Sequence, residues 1–287
     1  MRNKVCLVVI TISLIWSSSC SFNRVIVNAA GGFMEDGINV IYTEDNLEIA
    51  QQFLANNLKM IELLLNKDPD NPEMNLIASQ GFGAYAMAFV EDENPQRAAR
   101  LYRRGLNYAL KALPGKKSFN TTIKPKDLET LLRDYTKAEV PALFWIGYNW
   151  GSLVLQNLDN PRMLVNLSKV EMIMNRVLEL DESYNFGGVH LFYGNFYSAR
   201  PPLLGGNPEL GLKHFERNLE LTGGSFYMTK YFMARFYAVQ VQDRELFNRL
   251  TQEIMELDID RFPDVRLMNS LAKRKTEILL KKQDLYW

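Results

Sequence analysis

The spacing of apolar side chains is the feature that most constrains the fold of this chain. After Asn23 these side chains recur every three or four residues, and little of the sequence alternates with the two-residue period of a half-buried strand. The first clear run is Leu47, Ala50, Leu54, Leu58, Ile61 and Leu65. We therefore predict an all-α fold, with helices over residues 44–65, 72–90, 94–113, 125–135, 141–158, 161–180, 188–199, 208–221, 225–241, 244–255 and 263–282.

Two segments share a pattern that indicates repeated helical hairpins. Residues 94–106 and 207–219 both read N-P-x-x-small-x-basic-x-aromatic-x-R-x-L. The proline suits the first turn of a helix, and the small residue lets the preceding helix approach closely. In the second segment we expect Gly211 to meet Gly194. Such hairpins are typical of divergent tetratricopeptide-like (TPR-like) repeats, and no long linker divides them, so we predict a single compact superhelical domain over residues 43–287.

The N-terminus has the pattern of an export signal. Arg2 and Lys4 precede the short apolar run CLVVITISLIW, and residues 17–19 are serines that precede Cys20. We interpret residues 1–19 as a lipoprotein-type signal peptide, Cys20 as the acylated first residue of the mature chain, and residues 20–42 as a tether to the membrane. Ordinary cleavage nearby, which would leave Cys20 as a free thiol, is the alternative.

Composition and motifs exclude several classes of function. The 33 basic residues balance the 33 acidic residues, so the chain lacks the positive charge that nucleic-acid binding requires. No apolar stretch after the N-terminus is long enough to span a bilayer, which excludes a multipass transporter. The chain has 2 histidines, in no metal-ligand spacing, and no nucleophile-elbow or phosphate-loop motif. We predict no enzyme activity, no metal and no cofactor. A polysaccharide-cleaving enzyme would need two carboxylates suitably spaced in a cleft.

Two groups of aromatic residues suggest a binding site instead. One lies in the string LFWIGYNW at residues 143–150, and the other at residues 190–200, before a loop rich in proline and glycine. Aromatic side chains at helical spacing are often core residues, and that interpretation stays open. The functional hypothesis is a path for an elongated apolar or amphipathic ligand, in which Arg200 meets a carboxylate head group. The predicted lining residues are Trp145, Tyr148, His190, Tyr193, Tyr197 and Arg200.

Four passages together resemble one known family. They are RAARLYRRGLNYALKAL at residues 97–113, VPALFWIGYNWG at 140–151, GGVHLFYGNFYSARPPLLGGNPELGLKHFERNL at 187–219 and FPDVRLMNSLAKRKTEILLKKQDLYW at 262–287. With the signal they resemble the T-component family of periplasmic lipoproteins associated with tripartite ATP-independent periplasmic (TRAP) transporters. The sequence departs from the usual lipoprotein pattern at Ser17, where leucine is common.

The resemblance implies an all-α, TPR-like periplasmic protein without catalytic activity. It implies association with the TRAP substrate-binding subunit, a homo-oligomer with a trimer as one candidate, and a pore in each protomer that assists uptake of a small hydrophobic or organic-acid ligand. We therefore expect a transport accessory held at a membrane by its lipidated Cys20. The alternative is a TPR-type envelope scaffold that binds proteins but no small ligand.

Overall fold

The computed structural model describes residues 27, 31, 32, 37, 40–113, 115, 118–157, 165–200 and 205–287. The predicted signal peptide and Cys20 lie outside the described residues, as do the predicted helix start at Pro161 and residues 201–204. The described residues are 77% helical and contain no strand, which confirms the predicted all-α fold.

The longer helices are numbered α1 to α11 in chain order, with short 3₁₀ turns between several of them. Their bounds are α1 Leu47–Leu65, α2 Pro72–Phe89, α3 Pro95–Ala112, α4 Pro125–Arg133, α5 Val140–Leu155, α6 Leu167–Leu180, α7 Tyr184–Ser198, α8 Pro208–Leu221, α9 Met228–Phe232, α10 Arg244–Met255 and α11 Arg266–Leu280. Helix α9 continues as a wider π-type turn over Met233–Ala238. Within the described ranges, no helix combines the length and the apolar composition that crossing a bilayer requires.

The Asn-Pro pairs begin helices, as their pattern predicts. The Oδ1 atoms of Asn71, Asn94 and Asn207 accept hydrogen bonds from backbone N–H groups three residues later, at 3.0, 2.9 and 3.1 Å. Each asparagine thereby satisfies an N–H group that the first turn leaves without a helical partner. The following proline has no N–H and suits the first helical position. Local chemistry therefore determines where α2, α3 and α8 begin.

Helices α7 and α8 pack at a glycine contact. A Cβ atom added to Gly211 would lie 2.2 Å from Ser198 Oγ and 3.0 Å from the carbonyl oxygen of Gly194. A Cβ atom on Gly194 would lie 2.4 Å from the ring of Phe215, which is fully buried. The small residue and the aromatic residue four positions later therefore pack as the repeated pattern suggests. The TPR-like superhelix itself stays a prediction.

A buried ion cluster connects the N-terminal helices to the C-terminal helix. Lys275 of α11 is 1% exposed, and its Nζ lies 3.1 Å from Glu91 Oε1 and 2.6 Å from Asp92 Oδ2 in the segment after α2. Tyr102 of α3 donates a hydrogen bond to Glu91 Oε2 at 2.6 Å, and Arg235 lies 3.3 Å from Asp92. The two carboxylates thus hold α3, α11 and the π-type turn together.

The segment predicted as a tether supplies buried side chains to this body. Val27 is 1% exposed and packs with Ile61 and Leu65 of α1 and with Met74 of α2. Ile41 is also buried and belongs to the main core. The described residues of this segment therefore contact the helices, and the folded part begins before Leu47.

Candidate functional site

An apolar cavity of about 760 Å³ lies among helices α1, α2, α5, α7, α9 and α11. Its volume falls within the range of small-molecule sites, roughly 300–1,000 Å³. Most of the side chains around it are aliphatic or aromatic. The aromatic residues that line it are Tyr42, Phe53, Phe89, Phe144, Trp145, Tyr148, Phe186, Phe192, Phe196, Phe226 and Phe232. The cavity therefore offers a largely apolar surface to a ligand.

Helix α7 forms one long wall of this cavity. Gly188, Leu191, Phe192, Asn195 and Phe196 line it at the spacing of one helix face. Arg200, just after the helix, lines it as well, and the helical rise puts this residue about 18 Å from Gly188 along the axis. The wall is therefore apolar for most of its length and carries a cation at its C-terminal end.

Arg200 is half-buried and its guanidinium group is held by neutral partners. Its Nε donates a hydrogen bond to the carbonyl oxygen of Phe196 at 2.8 Å, and its Nη2 donates to that of Gly205 at 3.2 Å. The guanidinium carbon lies 3.6 Å from the centre of the Phe196 ring. Among the described residues Arg200 forms no salt bridge, but the negative charge of Glu171 acts on it from a greater distance. Burial lowers its pKa, yet a guanidinium group stays charged at neutral pH.

A second polar group lies on the same wall. The Oδ1 atom of Asn195 is buried and has no hydrogen-bond partner among the described residues. A buried acceptor without a partner costs about 1–3 kcal/mol, so native proteins rarely retain one.

The structure separates the six predicted lining residues into two groups. Trp145, Tyr148 and Arg200 line the cavity. His190, Tyr193 and Tyr197 are not among its lining residues, because they lie on the opposite face of α7, toward α6 and α8. The Tyr193 hydroxyl donates to Asn175 Oδ1 at 2.5 Å, and the Tyr197 hydroxyl donates to Glu171 Oε1 at 3.4 Å.

The histidines belong to a separate polar cluster. His190 Nδ1 lies 3.0 Å from His214 Nδ1, and His190 Nε2 lies 3.1 Å from Glu182 Oε2. Arg217 contacts the same carboxylate at 2.6 Å. Hydrogen bonds from Arg217 and His190 lower the pKa of Glu182 to about 2, while burial lowers the pKa of His214 to about 4. No group of three metal-ligating side chains occurs in the part of the chain that the structure describes.

The start of α7 has an unusual backbone. Asn185, Phe186 and Gly187 have φ values of 51°, 58° and 64°, which form a left-handed turn before the right-handed helix. The conformation is common for glycine and asparagine, but it costs a residue such as phenylalanine about 1–2 kcal/mol. The buried Asn218 of α8 stabilises this turn, since its Nδ2 donates to the carbonyl oxygens of Phe186 at 2.7 Å and Gly187 at 2.9 Å.

Phe186 lies between two cavities. It lines the apolar cavity and also a second cavity of about 520 Å³. This second cavity, called here the outer cavity, has a more polar lining. Its polar residues are Ser183, Thr222, Ser225, Arg261 and Asp264.

Several lining residues were absent from the sequence prediction. They include Phe144, Phe186, Phe192, Asn195 and Phe196. The α7 residues among them share a helical stripe with Arg200. Steps of four residues back from Arg200 reach Phe196, Phe192 and Gly188, but steps of three and seven reach Tyr197 and Tyr193, so the spacing by itself does not separate the two faces of α7.

Together these features define a class of protein: an all-α body with an elongated, partly open apolar cavity that carries a cation at one end. Comparison of the sequence then assigns the family. Residues 43–287 match the TRAP transporter T-component family, so the chain belongs to that family and the resemblance is confirmed. It is a TRAP transporter accessory component, and the family is not an enzyme class.

A protein of Treponema pallidum (strain Nichols) is similar along most of its length. It is 24% identical over 268 residues, which cover 85% of this chain and 81% of that protein. That protein is named only as uncharacterized.

Proposed function

We propose that this accessory component binds the TRAP substrate-binding subunit and holds an amphipathic organic acid in the apolar cavity. The observation that carries the proposal is the lining of this cavity, which is apolar apart from a few polar groups that include Arg200. The apolar chain of the ligand would bury its surface against the aromatic wall. Its carboxylate would pair with the guanidinium group of Arg200.

The cellular arrangement is part of the same proposal. The protein acts in the periplasm and is held at a membrane by an acyl group on Cys20. It works as a homo-oligomer, for which a trimer is the candidate state. The family assignment supports association with the transporter, and the signal-like N-terminus supports the location.

Ligand binding can be tested with a fluorescent long-chain acid, cis-parinaric acid, and its methyl ester. We expect the acid to bind more tightly than the ester, because only the acid carries a charge for Arg200. Replacing Arg200 by methionine (Arg200→Met) should weaken binding of the acid by about tenfold or more and leave the ester unchanged. Arg249→Met, at an exposed position on α10 outside the cavity lining, is the matched control. Equal binding of acid and ester would contradict the proposed head-group contact.

Partner binding is tested separately by native mass spectrometry of the protein mixed with a TRAP substrate-binding subunit from the same genome. A complex of defined stoichiometry would support the proposal. Absence of a complex at micromolar concentrations of both proteins would contradict it.

The scaffold alternative rests on a different surface. Ile49, Met60 and Leu63 are 52%, 52% and 55% exposed, and their spacing puts them on one face of α1. An exposed apolar face of this kind suits contact with another protein. Two results together would favour the scaffold. The parent protein would bind neither the acid nor the ester, and Met60→Glu would abolish its binding to the partner protein.

A further inference from the structure

We propose that Phe186 is a gate between the apolar cavity and the outer cavity, and that the left-handed turn over residues 185–187 moves it. The gate rests on the proposed function because it takes the apolar cavity as the ligand site. Movement of Phe186 would control a route between that site and the more polar outer cavity.

The position of the Phe186 ring is the first argument. The ring stacks on Phe226, with centroids 5.0 Å apart and planes inclined by 13°, and it meets the edge of Tyr42 at 5.5 Å. Phe226 and Tyr42 line the apolar cavity, and Phe186 is the aromatic side chain common to both cavities. Displacing this one ring would therefore join the two spaces.

The two sides of this barrier are held differently. Phe226 is 4% exposed and fixed by its neighbours in the chain, because Asn269 of α11 accepts a hydrogen bond from Tyr227 N at 2.9 Å and donates one to Ser225 O at 3.0 Å. Phe186 instead follows a turn in an unfavourable backbone conformation. The structure thus pairs a fixed ring with a ring on a strained segment, and such segments commonly occur at sites that change conformation.

One side chain holds the strained turn closed. The Nδ2 atom of Asn218 donates to the carbonyl oxygens of Phe186 and Gly187, while its Oδ1 accepts a hydrogen bond from Thr229 at 2.5 Å. Thr229 lies in α9, which also lines the apolar cavity through Met228 and Phe232. A ligand that displaces α9 would thus act on Asn218 and, through it, on the turn. Release of the two carbonyl groups would let the turn relax and carry the ring away from Phe226.

The gate can be tested by the labelling rate of a cysteine placed behind it. Leu267 lines the apolar cavity, and Val265, two residues earlier, lines the outer cavity. In the Leu267→Cys protein, the rate of reaction with the bulky reagent N-pyrenylmaleimide is followed at residue 267 by peptide mass spectrometry, which separates it from the native cysteines. We expect Phe186→Ala to raise this rate by about tenfold or more. Asn218→Asp, which keeps the ring but removes both donors to the turn, should raise it as well.

Two controls separate a gate from general loosening of the fold. Phe192→Ala removes another aromatic ring from the same cavity, away from the outer cavity, and should leave the rate at residue 267 within about twofold of the parent. Labelling of Leu155→Cys, elsewhere on the cavity wall, should be unaffected by Phe186→Ala. An unchanged rate at residue 267 in Phe186→Ala would overturn the gate, and so would an equal rise at residues 267 and 155.

The labelling result does not depend on any ligand, so the gate and the proposed function can fail independently. Failure of the parent protein to bind cis-parinaric acid contradicts the proposed function and leaves the labelling result valid for the gate. If the acid binds, Phe186→Ala should raise both its association rate and its dissociation rate, because an open route speeds passage in both directions. A faster dissociation with an unchanged association rate would make Phe186 a wall contact only and overturn the gate.

Discussion

His190 and His214 face each other across helices α7 and α8, with their Nδ1 atoms 3.0 Å apart. The carboxylate of Glu182 only accepts hydrogen bonds at neutral pH, so the hydrogen on the neutral His190 ring is at Nε2. Its Nδ1 then accepts, and the Nδ1–H group of His214 donates. Protonation of both rings would set two donors against each other.

We expect this pair to make the protein less stable in mild acid. Burial lowers the pKa of both histidines, that of His214 to about 4, below the ordinary value of about 6.5 in an unfolded chain. Between these pH values the unfolded state binds more protons, so the free energy of unfolding falls as the pH falls. The loss attributable to His214 should be about 1–2 kcal/mol after allowance for its partial exposure.

Urea denaturation at several pH values between 7 and 4.5 would measure this loss. In His214→Gln the amide can donate to His190 Nδ1 but does not titrate. The free energy of unfolding should therefore fall less steeply with falling pH in this variant than in the parent protein. The same slope in the parent and the variant would show that His214 does not titrate on unfolding in this range.

Replacing Lys275 by methionine should destabilise the fold by about 3–5 kcal/mol, because Glu91 and Asp92 would lose the cation buried between them. Chemical denaturation would measure the change. Lys281→Met is the control, because Lys281 is exposed and directly follows α11. It should change the free energy of unfolding by less than about 0.5 kcal/mol. Similar effects of the two substitutions would contradict a structural role for the ion cluster.

Gly211→Ala should destabilise the contact between α7 and α8 by about 1–3 kcal/mol, since the new methyl group would meet Ser198 Oγ and the backbone of Gly194. Gly81→Ala is the comparison, because its methyl group would meet only the flexible end of Leu58, at 2.8 Å. The higher helix propensity of alanine would offset that contact. The Tm of Gly211→Ala should therefore be well below the Tm of Gly81→Ala. The reverse order would refute the close packing of α7 and α8.

Asn195→Leu should stabilise the ligand-free protein by about 1 kcal/mol, because it removes the buried acceptor without a partner. Thermal unfolding would measure this change. A loss of stability would mean that the Asn195 side chain has a structural role.

Local chemistry explains which parts of the fold were predictable. The Asn-Pro pairs determine helix starts within their own turns, and the contact between Gly194 and Gly211 follows from residues within one hairpin. The choice between the two aromatic faces of α7 depends instead on helices distant in sequence, such as α2 and α5. For this reason the sequence alone does not separate Phe192 and Phe196, which line the cavity, from Tyr193 and Tyr197, which do not. The left-handed turn was also unpredictable, because phenylalanine at position 186 gives no sign of a positive φ.

The burial of Val27 limits how far the folded body can stand from a membrane. If Cys20 carries the proposed acyl group, about seven residues connect it to Val27, and an extended chain of that length reaches about 25 Å at most. Val27 packs beside Leu65 and Met74, where α1 ends and α2 begins. The folded body would then lie close to the lipid surface, with the end of α1 and the start of α2 toward the membrane, and not at the end of a long flexible tether. A substrate-binding subunit would have to approach it from the opposite side or along the plane of the membrane.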